Sequence, residues 1–95
     1  MQLARVVGTV VATLKEESMQ GIKLLVVRPL DEEGRESGNA IVSADAVGAG
    51  PGEVVLIAAG SSARQTVITD KRPVDSVVMA IVDSWSVADA VKYKK

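Results

Sequence analysis

Two short runs in the second half of the chain, at 54–59 and 77–82, are apolar at every position: VVLIAA and VVMAIV. Valine leads both runs, and its stiff, branched side chain favours strands. A strand in a small antiparallel barrel normally turns one face inward and the other to water. Strands that are apolar on both faces therefore need a cover on the outside of the barrel as well.

This outer cover has two possible sources. An exposed apolar patch usually marks an association surface, and a chain without a long helix has little of its own to place over it. We therefore expect a second copy of the chain to cover these strands. The alternative is that the N- and C-terminal segments fold over them within one subunit.

The alternation of apolar runs with charged or glycine-containing stretches predicts an all-β chain. Five strands are expected, at 2–14, 22–30, 40–47, 53–59 and 77–84. Gly8 indicates a bend or bulge in the first strand, and Pro29 should lie near the end or on the edge of the second. Five short strands without a long helix predict a small closed barrel of the oligonucleotide-binding kind.

The remaining segments are less regular. Residues 60–65 predict a turn or a single helical turn, and residues 66–68 a short extended piece. We assign residues 1–84 to the barrel domain and residues 85–95 to a C-terminal tail. The tail is either a short helix capped by Ser86 or one more strand, and its pattern does not separate the two.

Composition excludes several functions. The chain has 95 residues with no cysteine and no histidine, so no thiolate or imidazole is available for a metal or for a histidine-activated nucleophile. We expect no enzyme, no metal and no cofactor. With 11 basic and 12 acidic residues, and Trp85 and Tyr93 as the only aromatics, a nucleic-acid partner is not expected either.

No apolar run is long enough to cross a membrane, and the N-terminus opens on a strand pattern, not an export signal. The sequence therefore predicts a cytoplasmic protein without a membrane partner.

Two motifs have a functional and a structural interpretation. Gly48, Gly50 and Gly52 lie in a loop that is either a tight turn or a point of close approach to a neighbouring subunit. A phosphate loop is rejected because Glu53 and a strand follow. The block at 60–64, GSSAR, could bind an anion, but we favour a serine-capped turn with Arg64 paired to a carboxylate.

Three aspartates flank the predicted strands and could in principle form a carboxylate cluster. We expect them instead to cap turns and to pair with Arg5, Arg28 or Arg64. The three are Asp45, Asp75 and Asp83.

Six blocks of the sequence together resemble the EutN/CcmL family of bacterial microcompartment vertex proteins, in the family's order and over roughly residues 1–84. The blocks are RVVGTVVAT at 5–13, KLLVVRPLD at 23–31, DAVGAGPGE at 45–53, GSSAR at 60–64, PVD at 73–75 and IVD at 81–83. The resemblance implies a five-stranded barrel that forms a cyclic homopentamer. Such pentamers occupy the vertices of polyhedral shells that hexameric shell proteins otherwise tile.

The resemblance also implies two functional regions. Gly48, Ala49 and Gly50 would lie near the five-fold axis, where small residues let five chains converge. A second set, at or near the subunit contact, would be Ser61, Ser62, Ala63 and Arg64. Two alternatives to a structural shell protein stay open at this point: a nucleic-acid-binding barrel, and a small-ligand module or carboxylate enzyme at a subunit interface.

Overall fold

The computed structural model describes residues 1–13 and 15–95. Its strands are β1 Gln2–Val10, β2 Leu24–Pro29, β3 Ile41–Asp45, β4 Val54–Ala59, β5 Ser76–Ile81, β6 Ser84–Val87 and β7 Ala90–Lys94. The first five close into a barrel in the order β1-β2-β3-β5-β4, in which β3 and β5 are parallel and the other pairs antiparallel. The predicted all-β barrel is therefore confirmed. The first strand ends at Val10 and not at 14, and Leu14 lies outside the described residues.

Inward-facing residues of the strands fill the barrel interior. Ala4 and Val6 of β1 pack with their neighbours in one buried cluster, which we call the interior cluster. Its other members are Leu25, Val27, Ala49, Val55, Ile57 and Val78. The pairing of β1 with β2 shifts between Val6 and Gly8, so that Val7 is an extra residue in β1. This bulge confirms the irregularity predicted at Gly8, and it bends the strand as closure of a small barrel requires.

The outward faces of β4 and β5 are buried in part by the chain itself. Ala58 and Val77 pair across the two strands, and both pack with Ala63 and Val74 from the connection between those strands. We call this second buried set the outer cluster. This connection, and not the chain termini, folds back over the strands that it joins. The expectation that the chain had little with which to cover these faces was therefore wrong for this part of the surface.

Residues 66–68, predicted to be extended, form a turn. The Asp70 N–H donates to the Thr66 carbonyl at 2.9 Å, and the hydroxyls of Thr66 and Thr69 lie 2.6 Å apart. Threonine hydroxyls that bond to nearby backbone and to each other offer the chain an alternative to a strand ladder.

The C-terminal tail is a hairpin of β6 and β7, so the chain forms two strands from Ser84 onward where one strand or a short helix was expected. Trp85 and Tyr93 stack within it, with their ring centroids 5.1 Å apart. The Trp85 Nε1 donates to the Glu32 carbonyl at 2.9 Å, and the Lys92 Nζ lies 3.0 Å from a Glu33 carboxylate oxygen. Since an isolated two-stranded sheet is marginally stable, these contacts with the β2–β3 loop hold the tail in place.

The hairpin turn gives a testable prediction. Ala88 and Asp89 both have positive φ, +50° and +67°, which is the geometry of a type I′ turn and favours Asn-Gly. The double substitution A88N/D89G should therefore stabilise the hairpin by about 1 kcal/mol. Fluorescence of Trp85, the single tryptophan, would report a higher melting midpoint of the hairpin. Ala88→Val should lower that midpoint, and a double variant that melts at or below the wild-type midpoint would contradict the turn assignment.

Candidate subunit interface

The glycine loop, defined here as residues 46–53, connects β3 to β4 at one end of the barrel. Gly48 and Gly52 adopt left-handed φ values of +79° and +89°, which other residues reach only with strain. Between them Ala49 turns inward and belongs to the interior cluster, fully buried. The loop therefore closes one mouth of the barrel with a methyl group and leaves Gly48 on the outside.

Two carboxylates accept hydrogen bonds from successive N–H groups of this loop. Oδ1 of Asp45 accepts from the N–H groups of Val47, Gly48 and Ala49 at 3.0, 3.0 and 3.3 Å. Oε1 of Glu53 accepts from the Gly50 N–H at 2.6 Å. The donors that a phosphate would need are thus used within the chain, which agrees with the rejection of a phosphate loop.

The environment of Glu53 also involves the C-terminal tail. Its Oε2 lies 3.1 Å from the Nζ of Lys95. The pKa of the Glu53 carboxyl lies below its ordinary value, chiefly because of the hydrogen bond from the Gly50 N–H and secondly because of the Lys95 ammonium. The tail is therefore tied to the glycine loop as well as to the β2–β3 loop.

The GSSAR block forms a 3-10 turn, Gly60–Arg64, directly after β4. Ala63 is buried in the outer cluster, whereas Ser61 and Ser62 are exposed. The predicted serine cap is wrong, because Ala59 holds the N-cap position and no side chain caps the turn. The predicted carboxylate partner of Arg64 is wrong as well: its Nη1 donates to the Val74 carbonyl at 3.0 Å, which ties the turn to the connection that leads into β5.

The two sets of predicted site residues lie at opposite ends of β4. The glycine loop leads into Val54, and the Gly60–Arg64 turn follows Ala59. Six strand residues span about 20 Å, so one subunit does not bring these sets together. Ala49 packs in the interior cluster and Ala63 in the outer cluster.

Two partly apolar grooves lie at the Ala59 end of β4, on a surface that we call the Ala59 surface. One groove, of about 460 Å³, lies between β3 and the start of β5 and is lined by Ile41, Val42, Ala59, Asp75 and Ser76. A second groove, of about 380 Å³, lies beside the 3-10 turn and is lined by Met1, Ala58, Ala59, Ser62, Gln65 and Met79. The Ala59 surface combines the adjoining ends of β4 and β5 with residues of β3, the N-terminus and the 3-10 turn.

Among the described residues, none of the three aspartates forms the predicted pair with Arg5, Arg28 or Arg64, whereas the predicted capping is found at Asp45. Asp45 caps a turn as expected, but its cationic neighbour is Lys23, at 3.5 Å, and none of the expected arginines. Arg28 pairs with Glu36. Within the described residues, no three acidic side chains approach closely enough to hold a metal ion. Among the helices of that same part of the chain, none has the length and apolar content to span a membrane.

Sequence reasoning missed Lys23 and Lys95 as partners of the loop carboxylates. Lys23 could have been found from the register, because a hairpin between the second and third strands that pairs Leu24 with Ala44 sets Lys23 opposite Asp45. No local signal indicated Lys95, since its contact with Glu53 joins residues 42 positions apart.

A closed five-stranded barrel with an internally bonded loop of small residues at one end and an open apolar surface at the other defines a small β-barrel subunit suited to association. The family described as "Ethanolamine utilisation protein EutN/carboxysome" matches residues 1–83. The chain belongs to this EutN/CcmL family, as the resemblance of the sequence blocks indicated.

Individual relatives match along the whole chain. A carboxysome shell vertex protein, CcmL, from Synechococcus elongatus is 50% identical over 95 residues, which covers 100% of this chain and 96% of the relative. The solved structure of Gloeobacter violaceus CcmL superposes with a TM-score of 0.95 at 48% identity and covers 100% of this chain and 98% of that one. The GrpN pentameric microcompartment shell protein from Rhodospirillum rubrum, at 45% identity, has a TM-score of 0.85 and covers 93% and 100%.

Proposed function

We propose that the protein is a structural shell protein whose homopentamers occupy the vertices of a bacterial microcompartment shell in the cytoplasm. The observation that carries the proposal is the match to shell vertex proteins at 48–50% identity over the full length of this chain. The structural similarity to a pentameric microcompartment shell protein supports the five-fold assembly.

The geometry of a closed ring requires two different surfaces on each subunit. A heterologous contact between identical chains closes into a ring when its rotation permits. The Ala59 surface provides apolar area that association would bury. The glycine loop, at the other end of β4, presents Gly48 and Gly50 without side chains, and we place it near the five-fold axis. Ser62 lines the Ala59 surface, and we place the turn that contains Ser61, Ser62, Ala63 and Arg64 at or near the subunit contact.

The partners of such a pentamer would be the hexameric shell proteins that tile the flat faces of the shell. Flat hexagonal layers close into a polyhedron only when five-fold units supply curvature at the corners. We therefore propose that the function is geometric and that the protein is not an enzyme. The absence of histidine and cysteine from the sequence supports this.

We propose no role in nucleic-acid binding, although the strands form a barrel of the type called the oligonucleotide-binding fold. Single-strand binders place aromatic side chains along the groove of the barrel. Trp85 and Tyr93 stack on each other in the tail hairpin instead, and Trp85 packs over Gly34. Fold alone does not establish a function of this kind.

Native mass spectrometry of the purified protein tests the proposal. We expect a dominant species of five chains, which should form closed shells when mixed with a hexameric shell protein and should not when the hexamer is left out. A single chain as the main species would remove the geometric basis of the proposed function. A ring of another size would retain association but contradict the vertex role.

A further inference from the structure

Lys23 and Asp45 face each other because of the register between β2 and β3. Leu24 pairs with Ala44 in that antiparallel ladder, and one step further the Asp45 N–H donates to the Lys23 carbonyl at 2.9 Å. On its other side Asp45 pairs with Val78 of β5. Enclosed between two strands, the Asp45 side chain is only 1% exposed, whereas that of Lys23 is 56% exposed.

The two oxygens of the Asp45 carboxylate have different surroundings. Oδ1 accepts the three loop N–H groups, but Oδ2 is buried without a hydrogen-bond partner among the described residues. The Nζ of Lys23 lies 3.5 Å from this Oδ2. A buried carboxylate is costly unless an opposite charge accompanies it. The loop N–H groups bond only one of the two carboxylate oxygens, so the Lys23 ammonium offsets the charge at the other.

The same ammonium also reaches the far side of the loop. The Nζ of Lys23 donates to the Ala49 carbonyl at 3.2 Å. One lysine therefore joins the last residue before the loop, Asp45, to the residue that closes the barrel mouth, Ala49. Gly48 and Gly50 lie on either side of Ala49 and take their positions from it.

We infer that Lys23 is a positioning residue for the glycine loop, and that it holds Gly48 and Gly50 in the single conformation that they present to neighbouring subunits. The role of Lys23 toward neighbouring subunits rests on the proposed function, whereas its role within the loop does not. An exposed ion pair alone contributes little. This lysine differs, because its removal would leave a buried charge without its partner, which is the costly case.

Hydrogen exchange of the full chain with Lys23→Met tests the inference, because methionine keeps an apolar stem without the charge. Amide exchange of Val47, Gly48 and Ala49 should accelerate about tenfold or more over wild type, while amides of β4 keep their rates. Samples of equal oligomeric mass are compared. Lys94→Met, at an exposed position, is the matched control and should change none of these rates.

A second variant separates a positioning role from simple loss of packing. In K23M/D45N the buried charge is removed together with its partner, and the asparagine oxygen can still accept the loop N–H groups. The double variant should therefore exchange within about threefold of wild type. If Lys23→Met does not fold, Lys23→Gln, which keeps a donor but no charge, is measured against the same expectations.

Unchanged exchange at 47–49 in Lys23→Met, or a double variant that exchanges as fast as the single one, would overturn the inference about the loop. Native mass of each protein as purified, before any selection by oligomeric mass, tests the role in assembly: a lower five-chain fraction in Lys23→Met supports that role, and an unchanged fraction overturns it. A wild-type protein that is not pentameric would end the proposed function, while the exchange data would still decide the role of Lys23.

Discussion

Replacing Gly50 with valine is expected to abolish the five-chain species and to leave the barrel folded. Gly50 does not have a left-handed φ, and a Cβ built on it meets only the Glu53 Oε1, at the ordinary contact distance of 3.7 Å. One subunit can therefore accept a side chain at this position. Near a five-fold axis, however, the same side chain would be repeated in every copy and would collide with its neighbours.

The expected penalty is that of overpacking, about 1–3 kcal/mol for each contact, and it recurs at every contact of the ring. Native mass spectrometry should show that single chains replace the pentamer, and circular dichroism should show unchanged strand content. Gly50→Ala is the matched control and should still assemble. Gly48 is unsuitable as a probe, because its φ of +79° would strain the subunit itself. A Gly50→Val protein with the wild-type mass distribution would refute the axial position of this loop.

Val77→Ala and Val78→Ala are expected to destabilise the subunit by similar amounts, although the two side chains point to opposite faces of β5. Both valines are fully buried within one chain, Val78 in the interior cluster and Val77 in the outer cluster. Each truncation removes buried apolar atoms and leaves a cavity, at a cost of about 2–3 kcal/mol. For a domain of this size that corresponds to a melting temperature lower by about 10–20 °C.

Thermal unfolding measures the stability of these two variants. It is done at one fixed chain concentration, because association changes apparent stability with concentration. Val67→Ala is the control: its side chain is 99% exposed, and surface truncations of this kind stay within about 0.5 kcal/mol of wild type. A Val77→Ala variant as stable as wild type would mean that the connection between β4 and β5 does not pack on the outer face as described.

Much of the fold could be predicted because it depends on local pattern. The strands follow from apolar runs between turn residues, and the bulge beside Gly8 follows from a glycine in the middle of a long strand. The conformation of residues 66–68 was predicted wrongly, since the bonds of Thr66 and Thr69 compete with a strand in a way that propensity does not reveal. The tail stayed undecided because the contact of Trp85 with Glu32 bridges 53 positions.

In the candidate site, too, features that depend on local pattern could be predicted and features that depend on distant contacts could not. The capping role of Asp45 could be predicted, because an aspartate before a glycine-rich turn accepts nearby N–H groups. The pairing of Arg64 was predicted wrongly, since the free carbonyl of Val74 is created by the path of the connection. The Ala59 surface could not be predicted, because it combines residues from the N-terminus, β3, β4 and β5 that meet only in the closed barrel.

The sequence by itself determined the all-β class, the order of the strands along the chain and the membership of a family, because these depend on patterns within short segments. The tertiary structure alone decided which apolar faces the chain covers and which it leaves open. It also decided that Lys23 joins Asp45 to Ala49 and that Trp85 bonds to the β2–β3 loop. These features arise from contacts between distant segments, and such contacts form only when closure of the barrel fixes the register of every strand.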